Sequence, residues 1–313
     1  MGDVKSKVVL VTGGASGIGR LVALDLAQRG GRVVVWDLNE RALKALEAEA
    51  SARNLVLTTM VCDVSDRNAV YHQAERIQST LGPVDVLVNN AGIVAGKPFL
   101  KTADERILKT MEVNVFSHFW TLKAFMPSMI ERNQGHIVTV SSAAGIIGVT
   151  GLADYSAEKF AVFGLHEAIR MELRRQRSAV RTTVVCPFFI DTGMFAGVKT
   201  RFPFLLPILK SDYAARRIVQ SILKNKKRLI MPRFVYAVYL LRLLPVGVFD
   251  AMADFFGVNR SMDSFTGRAP TADLAASTAS SAGTASTGST ASGTVSSGDT
   301  ASGGSSGSEG ANA

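Results

Sequence analysis

The chain has 313 residues, 47% of them hydrophobic, enough for one large α/β domain or two small ones and too apolar for disorder throughout. Its net charge of +9 is compatible with nucleic acid, an anionic membrane surface or simple solubility. The bases are scattered along amphipathic stretches without interleaved stacking aromatics, which argues against nucleic acid, and neither the two cysteines nor the four histidines have metal-ligand spacing.

Val8 to Thr12 is a short apolar run that reads as a buried parallel strand, so no secretory signal is expected. It leads into Gly13-Gly14-Ala15-Ser16-Gly17-Ile18-Gly19 and then a helical pattern through Leu21, Leu24 and Leu26. Strand, glycine turn and helix start together form the setting of a phosphate-cradling loop. Gly13 permits the tight turn, Gly17 lets backbone approach a pyrophosphate, and Gly19 lets the helix pack on its strand. A plain βα turn is the alternative.

Arg32 to Trp36 is a second strand ending at Asp37. An acidic side chain there accepts both hydroxyls of an adenosine ribose and repels a 2′-phosphate, and Leu38 follows where an Arg would favour the phosphorylated cofactor. That combination points to NAD rather than NADP; the competing reading is an Asp that caps the helix beginning near Glu40. Leu55 to Val61 is a third strand, ending in Cys62-Asp63-Val64. Asp85 to Val88 is a fourth and runs into Asn89-Asn90-Ala91-Gly92, where Asn90 and Gly92 can line the adenosine side of a cleft. One long helical stretch is expected from Ala103 to about Glu131, with Asn114 as either a satisfied core amide or part of a site.

A fifth strand, His136 to Val140, delivers Ser141 and Ser142 at its carboxyl end. The next helix carries Tyr155 and Lys159, one turn apart on one face. An ammonium beside a phenol favours the phenolate, so Tyr155 can serve as a base below its free pKa of about 10. The bland alternative is a surface tyrosine and a solvated lysine. Thr182 to Cys186 is strand six and ends in Pro187-Phe188-Phe189-Ile190-Asp191-Thr192. Phe195 to Leu209 reads as a packed lid or as core, Asp212 as the cap of a helix to about Lys224, and Arg228 to Met231 as a last strand. Cys62 and Cys186 lie inside apolar runs and read as core thiols of a reducing compartment.

Alternating strands and helices predict an α/β fold, a Rossmann-type doubly wound parallel sheet in a single domain spanning residues 1–232. The selected residues all fall at strand carboxyl ends, where such sheets bind ligands. Residues 233–268 form an apolar extension, read as a lid or an in-plane membrane anchor. Arg242 and Pro245 interrupt it, so neither half reaches the roughly twenty apolar residues of a spanning helix. Packing on the protein's own domain or on a partner subunit is the alternative. From Ala269 the chain is Ala, Ser, Thr and Gly with little else and is expected to be disordered.

Thr12-Gly13-x-x-x-Gly17-x-Gly19, Asn89-Asn90-Ala91-Gly92, Asn114, Ser142 and Tyr155-x-x-x-Lys159 together resemble the short-chain dehydrogenase/reductase family over about residues 5–230. The stretch Cys186 to Phe195, the aromatic segment to Pro207 and Met231-Pro232-Arg233 resemble its retinol and hydroxysteroid dehydrogenase branch. Phe188 departs from the Gly of the wider family, a change that branch shares. Members of that branch often begin with a membrane segment, whereas seven residues precede the first strand here.

The resemblance implies a catalytic set of Asn114, Ser142, Tyr155 and Lys159. Tyr155 would be the general base in oxidation and the acid in reduction, with Lys159 lowering its pKa and binding the nicotinamide ribose. Ser142 would hold the substrate oxygen, and Asn114 a water that passes the proton out through Lys159. The implied cofactor set is Gly13, Ser16, Gly17, Ile18, Gly19, Asp37, Asp63, Val64, Asn90, Gly92, Tyr155, Lys159, Ile190 and Thr192, the last two fixing the carboxamide. The expected protein is thus an NAD-dependent dehydrogenase of lipid metabolism, acting on an apolar alcohol such as a retinoid, steroid or long-chain alcohol. It is expected to be cytoplasmic or peripheral on a membrane, and a homo-oligomer. The rival readings are a reductase of a small polar ketone or acyl intermediate and a silent nucleotide-binding scaffold.

Overall fold

The computed structural model describes residues 3–267; the tail expected to be disordered from Ala269 lies outside the described residues. Seven strands form one all-parallel sheet: β1 (Val8–Thr12), β2 (Arg32–Asp37), β3 (Leu57–Val61), β4 (Val86–Asn89), β5 (His136–Val140), β6 (Arg181–Pro187) and β7 (Arg228–Met231). Their order across the sheet is β3-β2-β1-β4-β5-β6-β7, which is the doubly wound topology expected from the alternating elements.

The nine α-helices of the described residues are α1 (Gly17–Gln28), α2 (Glu40–Ala52), α3 (Arg67–Thr80), α4 (Asp104–Met111), α5 (Ser117–Glu131), α6 (Ala153–Arg175), α7 (Ser211–Leu223), α8 (Ala237–Leu241) and α9 (Val246–Phe255). Successive strand residues face opposite sides, so the apolar run of β1 feeds two cores. Val9 and Val11 join Leu24 and Leu26 of α1 and Ile218 and Val219 of α7 on one side. Val8 and Leu10 join Val70 and Ile77 of α3 and Phe125 and Met129 of α5 on the other.

Two local expectations and one competing reading are corrected. The stretch from Ala103 to Glu131 is not one regular helix: a wide π turn, Glu112–Phe116, separates α4 from α5 and carries Asn114. Asn39, not Asp37, caps α2, its side chain accepting from Ala42 N at 2.8 Å. Asp212 lies inside the first turn of α7, where the positive end of the helix favours an anion, and Lys210 is the residue at the cap.

Three histidines, His118, His136 and His166, are buried. Burial pushes their pKa values down to about 3, about 4 and about 4, so they stay neutral in the fold. The unfolded chain takes up their protons below about pH 6.5 while the native state refuses them until about pH 4. Each histidine then removes about 1.4 kcal/mol of stability per pH unit in that window. Thermal midpoints measured from pH 8 to 4 should be level above pH 7 and fall steeply below 6; a midpoint that stays level down to pH 4.5 contradicts this account.

Candidate active site

β1 and β4 pair side by side, and the strand order reverses between them, so the chains leaving their carboxyl ends turn to opposite faces and open a crevice beyond the strand ends. Thr12 Oγ1 accepts from the backbone N–H of Asn90 (3.0 Å) and of Ala91 (3.1 Å). In return Asn90 Nδ2 donates to the carbonyls of Thr12 (3.0 Å) and Gly13 (3.1 Å). The side chain of Asn90 therefore braces the glycine turn. Gly13 and Gly17 have φ of +60° and +54°, in the left-handed region that favours glycine. A Cβ on Gly19 would run into the Gly13 carbonyl and lie 2.5 Å from Asn90 Nδ2. Ser16 is the extended residue before α1, and Ile18 packs partly on the core.

Asp37 ends β2 with its carboxylate fixed at both oxygens, Oδ2 accepting from Ala15 N and Oδ1 from Asn39 N, each at 3.0 Å. The carboxylate thus faces the glycine turn with lone pairs to spare for hydroxyl donors. Beyond β3, Asp63 Oδ1 accepts from the Ser65 N–H (2.9 Å) and hydroxyl (2.6 Å), and Lys109 lies 3.5 Å from Oδ2. Burial raises the Asp63 carboxyl, but Ser65 and Lys109 bring it below its ordinary value. Val64 is buried beside it.

At the other end of the crevice, α6 carries Tyr155 and Lys159, 6% and 3% exposed, so the bland reading of a surface pair is excluded. Lys159 Nζ donates to Val140 O (3.2 Å) and lies 5.4 Å from the centre of the Tyr155 ring. Burial pushes the ammonium down to about 8, against the charge of Glu158. Tyr155 is pushed well above the ordinary phenol range by burial, opposed by a hydrogen bond with Ser142 and reinforced by the Glu158 charge. The expected lowering of the phenol is therefore not a property of these side chains alone, because burial outweighs it. Ser142 Oγ accepts from Ala144 N (3.1 Å) and lies 3.4 Å from Pro187 O.

Asn114 is fully buried. Its Oδ1 accepts from Ile93 N and its Nδ2 donates to Ile93 O, both at 2.8 Å, and Nδ2 also donates to Glu158 Oε2 at 2.5 Å. Gly92 sits against this group, since a Cβ there would lie 3.2 Å from Asn114 Oδ1 and 3.7 Å from Lys159 Nζ. Ile190 pairs with Leu209, and Thr192 N donates to Ile190 O (2.9 Å), which closes the loop after β6.

A dinucleotide fits these residues. The glycine turn keeps side chains out of the approach to α1, whose first N–H groups lack intrahelical acceptors and carry the positive end of the helix. Asp37 marks one end of the crevice, and Lys159 with Gly92 marks the other.

The sequence pattern of the short chain dehydrogenases matches residues 7–201. The chain is 44% identical over 269 residues to short-chain dehydrogenase/reductase family 16C member 6 of Bos taurus, covering 85% of each chain. It is 44% identical over 271 residues to epidermal retinol dehydrogenase 2 of Mus musculus, covering 85% of this chain and 87% of that one. A short chain dehydrogenase/reductase from Burkholderia phymatum, solved with NAD, superposes with a TM-score of 0.70 at 25% identity, covering 78% of this chain and 95% of that one. A metagenomic short-chain oxidoreductase, solved with NADP, gives 0.61 at 28%, covering 73% and 96%.

This chain belongs to the short chain dehydrogenase family. It is an oxidoreductase acting on CH–OH groups, built on a fold that holds NAD in one solved neighbour and NADP in another.

Above Ser142 and Tyr155 this short chain dehydrogenase has a cavity of about 780 Å³, counted out to its open mouth. The loop after β6 supplies Phe188, Phe189 and Phe195, and the extension supplies Phe234, Val238, Leu241, Phe249 and Phe256. Among the described residues lining it, Ser142 and Tyr155 alone carry polar side chains. Sequence reasoning did not single out Glu158, though it stands inside the Tyr155–Lys159 motif, nor Met262 and Phe265. Those two join Tyr155, Phe189 and Phe195 in one apolar cluster, and Phe265 lies against Gly96. No signal in the sequence foretells that the end of the extension returns to Tyr155.

Proposed function

We propose that this protein is an NAD-dependent dehydrogenase of a large apolar alcohol, a retinoid before a steroid or a long-chain alcohol. The observation that carries this is the cavity itself: two hydroxyl-bearing side chains at one end of a wall that is otherwise hydrocarbon. Such a wall gains by covering a long apolar substrate and leaves the second polar group of a small diketone without a partner. Relatives of this chain are named retinol dehydrogenases, including retinol dehydrogenase 10-B of Xenopus laevis at 40% identity over 293 residues.

In this reading Ser142 and Tyr155 bind the alcohol oxygen, and Tyr155 takes its proton during oxidation or gives one during reduction. Burial keeps the phenol protonated, which suits carbonyl reduction at neutral pH and makes oxidation rise with pH. Lys159 supplies positive charge beside Tyr155 and binds the ribose near Gly92. Asn114 holds Ile93, and with it the loop after β4, against α6; a water held there would carry the proton on from Lys159. The phenylalanines of the loop after β6 keep bulk water off the reacting carbon. Ile190 and Thr192 orient the carboxamide. NAD, when bound, supplies the hydride acceptor.

For cofactor choice, Asp37 is held by Ala15 and Asn39 where a ribose 2′-hydroxyl would be read, and Leu38 beside it is exposed without offering a positive charge. We further propose that the extension lies in a lipid surface. No helix among the described residues is long and apolar enough to cross a membrane. Yet α8, α9 and the turn between them expose Leu240, Leu243, Val246 and Phe255 while Leu241 and Phe249 line the cavity. Lys224, Lys226 and Lys227 precede this segment and complement an anionic bilayer. An apolar alcohol would then enter from lipid.

Tyr155→Phe should keep NAD binding and lower retinol turnover about a hundredfold or more; a variant with over about a tenth of the wild-type rate removes Tyr155 from the proton-carrying role. The native enzyme should show higher kcat/KM with NAD than with NADP, and Asp37→Ser with Leu38→Arg should reverse the order. A native preference for NADP refutes the Asp37 argument. In flotation, the full chain should rise with anionic liposomes and a chain lacking residues 233–268 should not. If the full chain stays with the aqueous fraction and sediments as an oligomer, a second copy covers this face instead of lipid.

A further inference from the structure

The end of the extension, residues 261–267, is a strap that joins the loop after β6 to the loop after β4. On the β6 side, Lys199 N donates to Ser261 O (3.2 Å), and the N–H groups of Thr266 and Gly267 donate to Ala196 O (2.9 and 3.3 Å). Gly197, at φ +86°, makes room for this approach: a Cβ there would collide with the Ser264 carbonyl and lie 3.0 Å from Thr266 N. On the β4 side, Gly96, at φ +65°, leaves a notch that the Phe265 ring fills, and a Cβ there would run into the ring. Met262 and Phe265 join Tyr155 and Phe189 in one apolar cluster with Phe195. Phe195 is the link, its ring 5.7 Å from that of Tyr155, edge to face, and 6.4 Å from that of Phe265.

We propose that Phe265 is a positioning residue for the alcohol: seated at Gly96, it holds Phe195 against Tyr155 and so closes the cavity around the reacting end of the substrate. The loop after β6 is held in two different ways. Its root is tied to the body, because Ile190 pairs with Leu209 and Asp191 N donates to Leu209 O (3.0 Å). From Gly193 to Lys199, among the described residues, every backbone hydrogen bond that leaves the segment goes to the strap. A segment with so few ties opens locally at low cost unless its outside partner holds it. The strap therefore decides where Phe195 stands, and Phe195 lines the cavity beside Tyr155. The opposite lip is anchored, since Arg106 donates to Val94 O (2.9 Å) and ties the loop that carries Gly96 to α4. Phe265 thus has a firm seat on one side and a loosely held partner on the other.

This inference rests on the reading of Tyr155 as proton carrier for an apolar alcohol. The test is steady-state retinol oxidation by the full chain with saturating NAD, together with hydrogen exchange at the amides of Lys199, Thr266 and Gly267. Phe265→Ala should raise KM for retinol about tenfold and speed exchange at those amides, with Kd for NAD within about twofold of wild type. NAD is spared because Ile190 and Thr192 belong to the anchored root of the loop. Phe265→Leu, which keeps an apolar bulk in the notch, should recover most of the lost affinity. An unmoved KM, unmoved exchange, or a loss of NAD affinity as large as the loss for retinol overturns the proposal. Gly96→Ala tests the seat from the other side. Its methyl should displace the ring and raise KM in the native background, yet add little to Phe265→Ala, where the ring is gone. Equal effects in both backgrounds are fatal, and should Phe265→Ala not fold, an unmoved KM in Gly96→Ala alone is fatal too. Tyr155→Phe in the same series separates the two readings. An inactive Tyr155→Phe with an unmoved KM in Phe265→Ala overturns the Phe265 proposal alone, whereas an active Tyr155→Phe overturns the proton-carrier assignment and this proposal with it.

Discussion

Asn90 donates to the carbonyls of Thr12 and Gly13 while Thr12 accepts from the backbone of Asn90 and Ala91, so the loops leaving β1 and β4 are tied at their roots. Each such bond contributes about 1 kcal/mol net, modest against a total stability of about 5–15 kcal/mol. Their importance is geometric. Asp37 reaches the glycine turn through Ala15, and the turn is held by Asn90. Two residues on, Gly92 meets Asn114 and Lys159, and Ile93 is clamped by the Asn114 amide. A continuous run of backbone bonds thus fixes the distance between the two ends of the crevice. The same tie explains the missing side chain at position 19, whose Cβ would meet both Gly13 and Asn90.

At the proton-carrying end two effects compete, and their sizes decide the outcome. Opposite charges attract Lys159 to its ionised form and would draw Tyr155 to the phenolate, but both groups are almost wholly buried. Desolvation wins at each: the ammonium falls to about 8 and the phenol rises. With the ammonium donating to Val140 O instead of to the phenol, there is no direct contact to offset that cost. The protein alone therefore stores its proton on the tyrosine. Any group that lowers the phenol in turnover has to bring positive charge into this dry space, and the cationic ring of an oxidised nicotinamide has that character.

The sheet, the glycine turn, Asp37 and the Tyr155–Lys159 pair were legible because each is a local pattern with its own period or spacing. The all-apolar β1 announced burial on both faces, and the structure divides its side chains between two cores. What stayed hidden depends on partners distant in sequence. Nothing around Asn114 marks a π turn, and the partners of its side chain are Ile93, 21 residues away, and Glu158, 44 residues away. Asp37 and Asn39 are both capping residue types in the right place, and the choice between them is made by the glycine turn claiming Asp37. Glu158 was overlooked for a related reason: on a surface helix a glutamate is ordinary, and its burial follows only from how α4 and the π turn pack on α6.

Arg242 shows how far apart a linear and a spatial reading of the extension stand. In the sequence it breaks an apolar run. In the fold its Nε donates to Ile146 O at 3.0 Å, and its guanidinium lies over the rings of Phe160 and Phe249, at 5.4 and 5.9 Å from their centres. The charge is turned back towards the body, so it does not interrupt the outward apolar face of α8 and α9; it ties the turn between them to the loop that follows Ser142. Phe249 has a double attachment, contacting Arg242 and lining the cavity. A substitution at Arg242 would therefore reach the cavity wall through Phe249 without touching any group that handles the proton. Arg242 thereby links the surface proposed to meet lipid with the space proposed to receive the alcohol.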